Sequence, residues 1–125
     1  MSKILLVEDD SNFVTACRRY LRKGGFTDVD DAYRGNEALT RIGDQYDVVI
    51  LDTDLPGLDG PEVAREARSL GYGGRIIGMS GESVNEEKWA KPDDGFYCDR
   101  FLLKGNIDDD PGLLPRTVTE LLESI

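Results

Sequence analysis

Acidic residues, one hydroxyl and one lysine follow short apolar runs in this 125-residue chain, a set that could handle phosphoryl groups. Glu8, Asp9 and Asp10 follow the run Lys3–Val7, and Asp52 and then Asp54 follow Asp47–Leu51. Ser80 and Gly81 follow Arg75–Met79, and Lys104 follows Arg100–Leu103. Carboxylates held within a few ångströms of one another repel strongly unless a cation joins them. Oxygen ligands without histidine suit a hard ion such as Mg2+, with Mn2+ a second candidate. The lysine would pair with an anion, and the hydroxyl could donate to it. Such a set supports phosphoryl transfer to a carboxylate: metal and lysine neutralise the phosphoryl oxygens while an aspartate attacks.

These groups meet only if the runs lie side by side. Continuous β-branched runs alternating with amphipathic stretches are the pattern of an α/β fold with a buried parallel sheet. A weaker strand is expected near Asp28–Ala32. Ligands in such sheets bind beyond the carboxyl ends of the strands, so the acids, Ser80 and Lys104 converge on one rim. Helices fill the gaps. Ser11 is expected to cap a helix with Phe13, Val14, Cys17 and Leu21 on one face, ended by Gly24-Gly25. Asn36–Gly43 turns Ala38, Leu39 and Ile42 inward. Pro61 suits a first helical turn, with Val63, Ala67 and Leu70 following at helical spacing. Glu82–Ala90 is a short polar helix candidate, stopped before Pro92. The last helix, near Leu113–Ile125, buries Leu114, Val118, Leu121 and Leu122. The expected organisation is one domain over residues 1–125, with five strands and five helices in alternation.

Composition excludes several function classes. There is no histidine, and the two cysteines, Cys17 and Cys98, lack metal-ligand spacing. A zinc site and a histidine-activated nucleophile are therefore not expected, and both cysteines read as buried small hydrophobes. A net charge of −10 repels nucleic-acid phosphates and favours basic partners or a bound cation. No apolar run approaches the roughly 20 residues of a membrane helix, and the apolar start is too short for a signal peptide. The expected location is the cytoplasm, with no direct contact to nucleic acid or membrane.

Four blocks, taken in order, resemble response-regulator receiver domains of two-component systems. They are Ile4-Leu5-Leu6-Val7-Glu8-Asp9-Asp10, Leu51-Asp52-Thr53-Asp54-Leu55-Pro56-Gly57-Leu58-Asp59-Gly60, Met79-Ser80-Gly81-Glu82 and Phe101-Leu102-Leu103-Lys104. The resemblance spans the chain and implies a doubly wound (βα)5, flavodoxin-like three-layer sandwich. It implies that Asp52 accepts phosphate from a phosphohistidine on a histidine kinase or histidine phosphotransfer protein. Asp9, Asp52 and the backbone carbonyl of Asp54 would ligate Mg2+, with Glu8 acting through water or more distantly. Asp10 is split between an outer-shell acid and a helix cap. Ser80 would swing to the phosphoryl group beside Gly81 and the Thr53 backbone, and Lys104 would pair with it. Phe101 matches the aromatic switch residue, although a plain core role also fits it. The face built by the fourth predicted helix, the fifth strand and the fifth helix would then change its protein partners. The state implied is a monomer or a phosphorylation-dependent dimer. The domain would catalyse only its own phosphorylation and slow dephosphorylation.

Three departures from the family pattern stand out. Gly105 follows the lysine where the family places a proline in a cis peptide. A cis bond before a non-proline residue costs about 2.5–4 kcal/mol, so a trans loop and a shifted Lys104 are in play. The Asp54 side chain adds negative charge beside Asp52, where a neutral residue is common. Asn85–Tyr97, with Trp89, Lys91-Pro92 and Asp93-Asp94-Gly95, points to a shortened helix and a longer loop.

Other readings use the same residues. A phosphorylation-independent pseudo-receiver fits Gly105 and Asp54. Asp52-Thr53-Asp54 resembles the motif of aspartyl-phosphate phosphatases, but it ends the third run and the chain lacks length for a cap. A Toprim-type nucleic-acid domain would use Glu8 with Asp52 and Asp54, leaving Ser80 and Lys104 unexplained. With nothing after Ile125, output is expected through docking or onward phosphate relay if the chain is whole, and through a further domain if it is a piece.

Overall fold

Five short strands pair in parallel in the computed structural model, which describes residues 2–43 and 45–124. They are β1 (Ile4–Val7), β2 (Val29–Ala32), β3 (Val48–Asp52), β4 (Arg75–Ser80) and β5 (Arg100–Leu103), in the order β2-β1-β3-β4-β5. Register places Val7 beside Leu51, Asp52 beside Met79 and Ser80 beside Leu103, so the carboxyl ends finish level. The predicted strands are all present, within a residue or two of the expected bounds.

Pleating sends alternate residues to opposite faces. Ile4, Leu6, Val48, Ile50, Ile77 and Met79 face one core with α1 (Ser11–Lys23) and the last helix, α5 (Leu113–Glu123). Leu5, Val7, Val49, Leu51 and Ile76 face the other core, with α2 (Gly35–Arg41), α3 (Gly60–Ser69) and Trp89. The result is the expected three-layer α/β architecture. Each fully buried aliphatic side chain contributes ~1.5–3 kcal/mol to it. Among the described residues, no helix is long and apolar enough to cross a membrane.

Several local expectations change. Asp10, not Ser11, caps α1, because its carboxylate accepts from the Asn12 and Phe13 amides at 3.0 and 3.4 Å. Leu70 lies beyond the end of α3 and is 75% exposed, since Gly71 (φ +97°) turns the chain there. The helix expected over Glu82–Ala90 is a 3-10 helix, Ser83–Trp89. Strict alternation fails after β5, where a short helix, α4 (Lys104–Asp109), precedes α5. Asp108 and Asp109 close α4. The described residues contain no cis peptide bond, so Lys104-Gly105 is trans and Lys104 opens a helix. Cys17 and Cys98 are both buried and free. Ile125, expected in the last helix, lies outside the described residues.

Candidate functional site

Asp52 is the last residue of β3, and the fold fixes its surroundings. β1 ends one residue before Glu8, and β5 ends one residue before Lys104. The sheet therefore brings two acids and a lysine together from the ends of β1, β3 and β5, with β4 lying between the last two. Lys104 Nζ lies 2.6 Å from Glu8 Oε1 and 3.1 Å from Asp52 Oδ1. Its ammonium also stands 5.1 Å from the centre of the Phe13 ring, which covers it from α1. Glu8 is fully buried, and its second oxygen accepts from the Asp9 and Asp10 amides at 3.1 and 3.2 Å. Those bonds turn the chain so that the exposed Asp9 leans over the rim.

Glu8, Asp9 and Asp52 each offer a carboxylate oxygen, and these oxygens lie within 4.8 Å of one another. Burial, reinforced by the charge on Asp52, raises the Glu8 carboxyl to about 7, against the pull of Lys104. Burial likewise raises Asp52, with Lys104 opposing and Asp9 adding to the rise. Burial alone would lower Lys104, but the two carboxylates outweigh it and hold the ammonium charged. One buried oxygen, Glu8 Oε1, has no aligned hydrogen bond and meets only the charge of Lys104 at close range. An excess of acid and a hard-oxygen donor set fit a magnesium-type cation. Asp9 and Asp52 would hold it. Glu8 is the third acid of the cluster, and Lys104 already engages it.

The remaining predicted residues distribute around this centre. Asp10 serves as the α1 cap. The Asp54 side chain points to solvent, 74% exposed, where Lys88 Nζ comes within 3.8 Å and offsets part of its charge. Thr53 is buried; its amide donates to the Met79 carbonyl at 2.9 Å and its hydroxyl to the same oxygen at 2.8 Å. Ser80 is buried at the end of β4, and Gly81 beside it is exposed. Phe101 is half-buried against the α3-side core.

Two residues that touch the site were not among the predicted site residues. Trp89 is fully buried, and its indole N–H donates to the Thr53 hydroxyl at 3.1 Å. Asn85 is buried too and donates to the Ser80 hydroxyl at 2.7 Å. A signal for the tryptophan existed. Gly78 interrupts the bulky β4, and a Cβ there would come within 2.8 Å of the Trp89 ring. Gly60 is the same case: a Cβ would meet Trp89 at 3.0 Å and the Asp52 carbonyl at 2.1 Å.

The response regulator receiver domain family matches residues 4–105. A two-component response regulator of Oryza sativa subsp. japonica, ORR41, is 35% identical over 88 residues, covering 67% of this chain and 69% of that protein. The chain spans only 16% and 35% of the length of two further curated relatives. Among solved structures, the response regulator TrrA from Thermotoga maritima, in complex with Mg2+ and beryllofluoride, is 31% identical with a TM-score of 0.79. The match covers 97% of this chain and 99% of that one. The receiver domain of a sensor histidine kinase from Pseudomonas aeruginosa PAO1, with a magnesium ion in its active-site cleft, is 26% identical with a TM-score of 0.82, covering 98% of each chain.

Proposed function

Since the chain belongs to the response regulator receiver domain family, a family of two-component signal transduction, we propose that Asp52 is its phosphoacceptor. The observation that carries this reading is Lys104 Nζ, 3.1 Å from Asp52 Oδ1 and within the same acidic cluster. An aspartate at the end of β3, set at the rim and flanked by a fixed cation, has what an attacking carboxylate needs.

Asp52 attacks the phosphorus of a phosphohistidine on a histidine kinase or histidine phosphotransfer protein. The P–O bond forms, the P–N bond breaks, and the imidazole leaves with the electron pair and takes up a proton. Magnesium, or manganese in its place, neutralises phosphoryl oxygens and orients them when bound. Asp9, Asp52 and the Asp54 carbonyl are its proposed ligands, with Glu8 at longer range. Lys104 then exchanges part of its pairing with Glu8 and Asp52 for a phosphoryl oxygen. Ser80 donates a second hydrogen bond, and the Thr53 and Gly81 backbones line the same position. Phe101 and the surface around β5 respond, changing affinity for a downstream protein or a second copy of the chain. The domain acts in the cytoplasm as one unit over residues 1–125. It turns over no substrate beyond its own phosphoryl group.

Incubation with magnesium and acetyl phosphate tests this. The parent gains one phosphoryl group by intact mass, and Asp52→Asn and a chelator each abolish the gain. No gain in the parent, with Asp52→Asn indistinguishable from it, would return the chain to the pseudo-receiver reading.

A further inference from the structure

The 3-10 helix Ser83–Trp89 is exposed along most of its length, yet two of its side chains are buried, Asn85 and Trp89. They stand four residues apart, and both donate hydrogen bonds into the rim. Trp89 bonds Thr53, and Asn85 bonds Ser80. The Ser80 oxygen also accepts from the Glu82 amide at 3.1 Å. A serine oxygen has two lone pairs, so both are satisfied from the side of the 3-10 helix. Among the described contacts, Ser80 has none with Asp52.

Resting on the phosphoacceptor reading, we propose that Asn85 is a positioning residue: it latches the Ser80 hydroxyl away from Asp52 in the unmodified protein. An anion on Asp52 draws the hydroxyl toward itself and breaks the 2.7 Å bond from the Asn85 amide. The buried amide then loses its partner, which opposes the modified state. Asn85 must follow Ser80 or find water, so the first turn of the 3-10 helix moves. Trp89 stays anchored, because its partner Thr53 is bonded twice to Met79. The displacement concentrates over residues 82–88, which carry the 70% exposed Val84 and the Lys88 partner of Asp54. Asn85 therefore sets how readily the site accepts an anion, and it couples that event to a surface.

The test is titration with beryllofluoride at saturating magnesium, with fluorine NMR reading the bound species. Asn85→Ala and the near-isosteric Asn85→Leu, each checked for folding by circular dichroism, bind about 3–10-fold more tightly than the parent, the net worth of one hydrogen bond. In a Ser80→Ala background the same substitutions give no gain, because no hydroxyl remains to be freed. Equal or weaker binding by the Asn85 variants overturns the latch. So does a gain that persists without the Ser80 hydroxyl, since that would come from a general loosening. Absence of binding by the parent overturns the phosphoacceptor reading, and the latch falls with it.

Discussion

The rim and the segment between β4 and β5 lie side by side, but they are held by different forces. Glu8, Asp52, Ser80 and Lys104 are carried at or just past strand ends, and a ladder of backbone hydrogen bonds aligns those ends. Residues 81–99 have no ladder of that kind. A 3-10 helix, one antiparallel bridge between Ala90 and Phe96, and a turn with Gly95 at φ +80° make up most of their backbone order. Side chains fix this segment instead: Trp89 below, Asn85 at the rim, and Asp99, which accepts from Arg68 at 3.2 Å and from the Ile76 amide at 2.8 Å. A sheet edge places chemistry firmly. A segment hung on side chains can move when one of them changes partner.

The largest expected effect tests whether Trp89 is the main support. Trp89→Ala should cost about 3–5 kcal/mol in denaturant unfolding, because it empties a closed site beneath Gly78 and Gly60. The carboxylates lie on strand ends, so whatever fraction remains folded should still take phosphate. A loss under about 1 kcal/mol would mean the segment is not held by that ring.

A middle-sized effect compares the regions through their thiols. Burial pushes Cys17 in α1 up to about 12 and Cys98 in the segment up to about 11, so neither is a ready thiolate at pH 8. Labelling of the native protein by a disulfide reagent must therefore await opening. Cys98 should label about tenfold faster than Cys17, because local opening is easier where few backbone bonds cross. Equal rates would erase the contrast between the regions. Both rates should rise together on full unfolding.

The smallest effect lies at the rim of the segment. Lys88 and Asp54 form an exposed pair 3.8 Å apart. Lys88→Ala should change stability by no more than about 0.5 kcal/mol. It should slow phosphorylation by an anionic donor such as acetyl phosphate about twofold to fivefold, and less at high salt, because Asp54 loses its screen. A salt-independent change would point to contact rather than charge.

The same contrast governs what could be read from the sequence. β1, β3 and β4 announced themselves because strands buried on both faces are continuously apolar, and the residue after each run fell on the rim. The helical faces of α1 and α5 were equally plain from the spacing of Cys17 and Leu21, and of Leu114, Val118 and Leu121. Ser11 was misread as a cap because Asp10 beside it could serve two roles, and only geometry chose. Leu70 continued a helical spacing, but the turn at Gly71 removed it from the core. The short helix expected over Glu82–Ala90 was legible, but its 3-10 form and its support were not. Its stability comes from a tryptophan inserted between Gly78 and Gly60, residues distant in sequence, and not from any local period. The Asn85 bond to Ser80 left no pattern at all.

The most direct measurement of the central claim is to locate the modification. The parent is phosphorylated with acetyl phosphate and magnesium, trapped with borohydride, digested and mapped by mass spectrometry. The trapped product should fall on Asp52 and vanish in Asp52→Asn. A product on Asp9 or Asp54, or none on any carboxylate, would contradict the account.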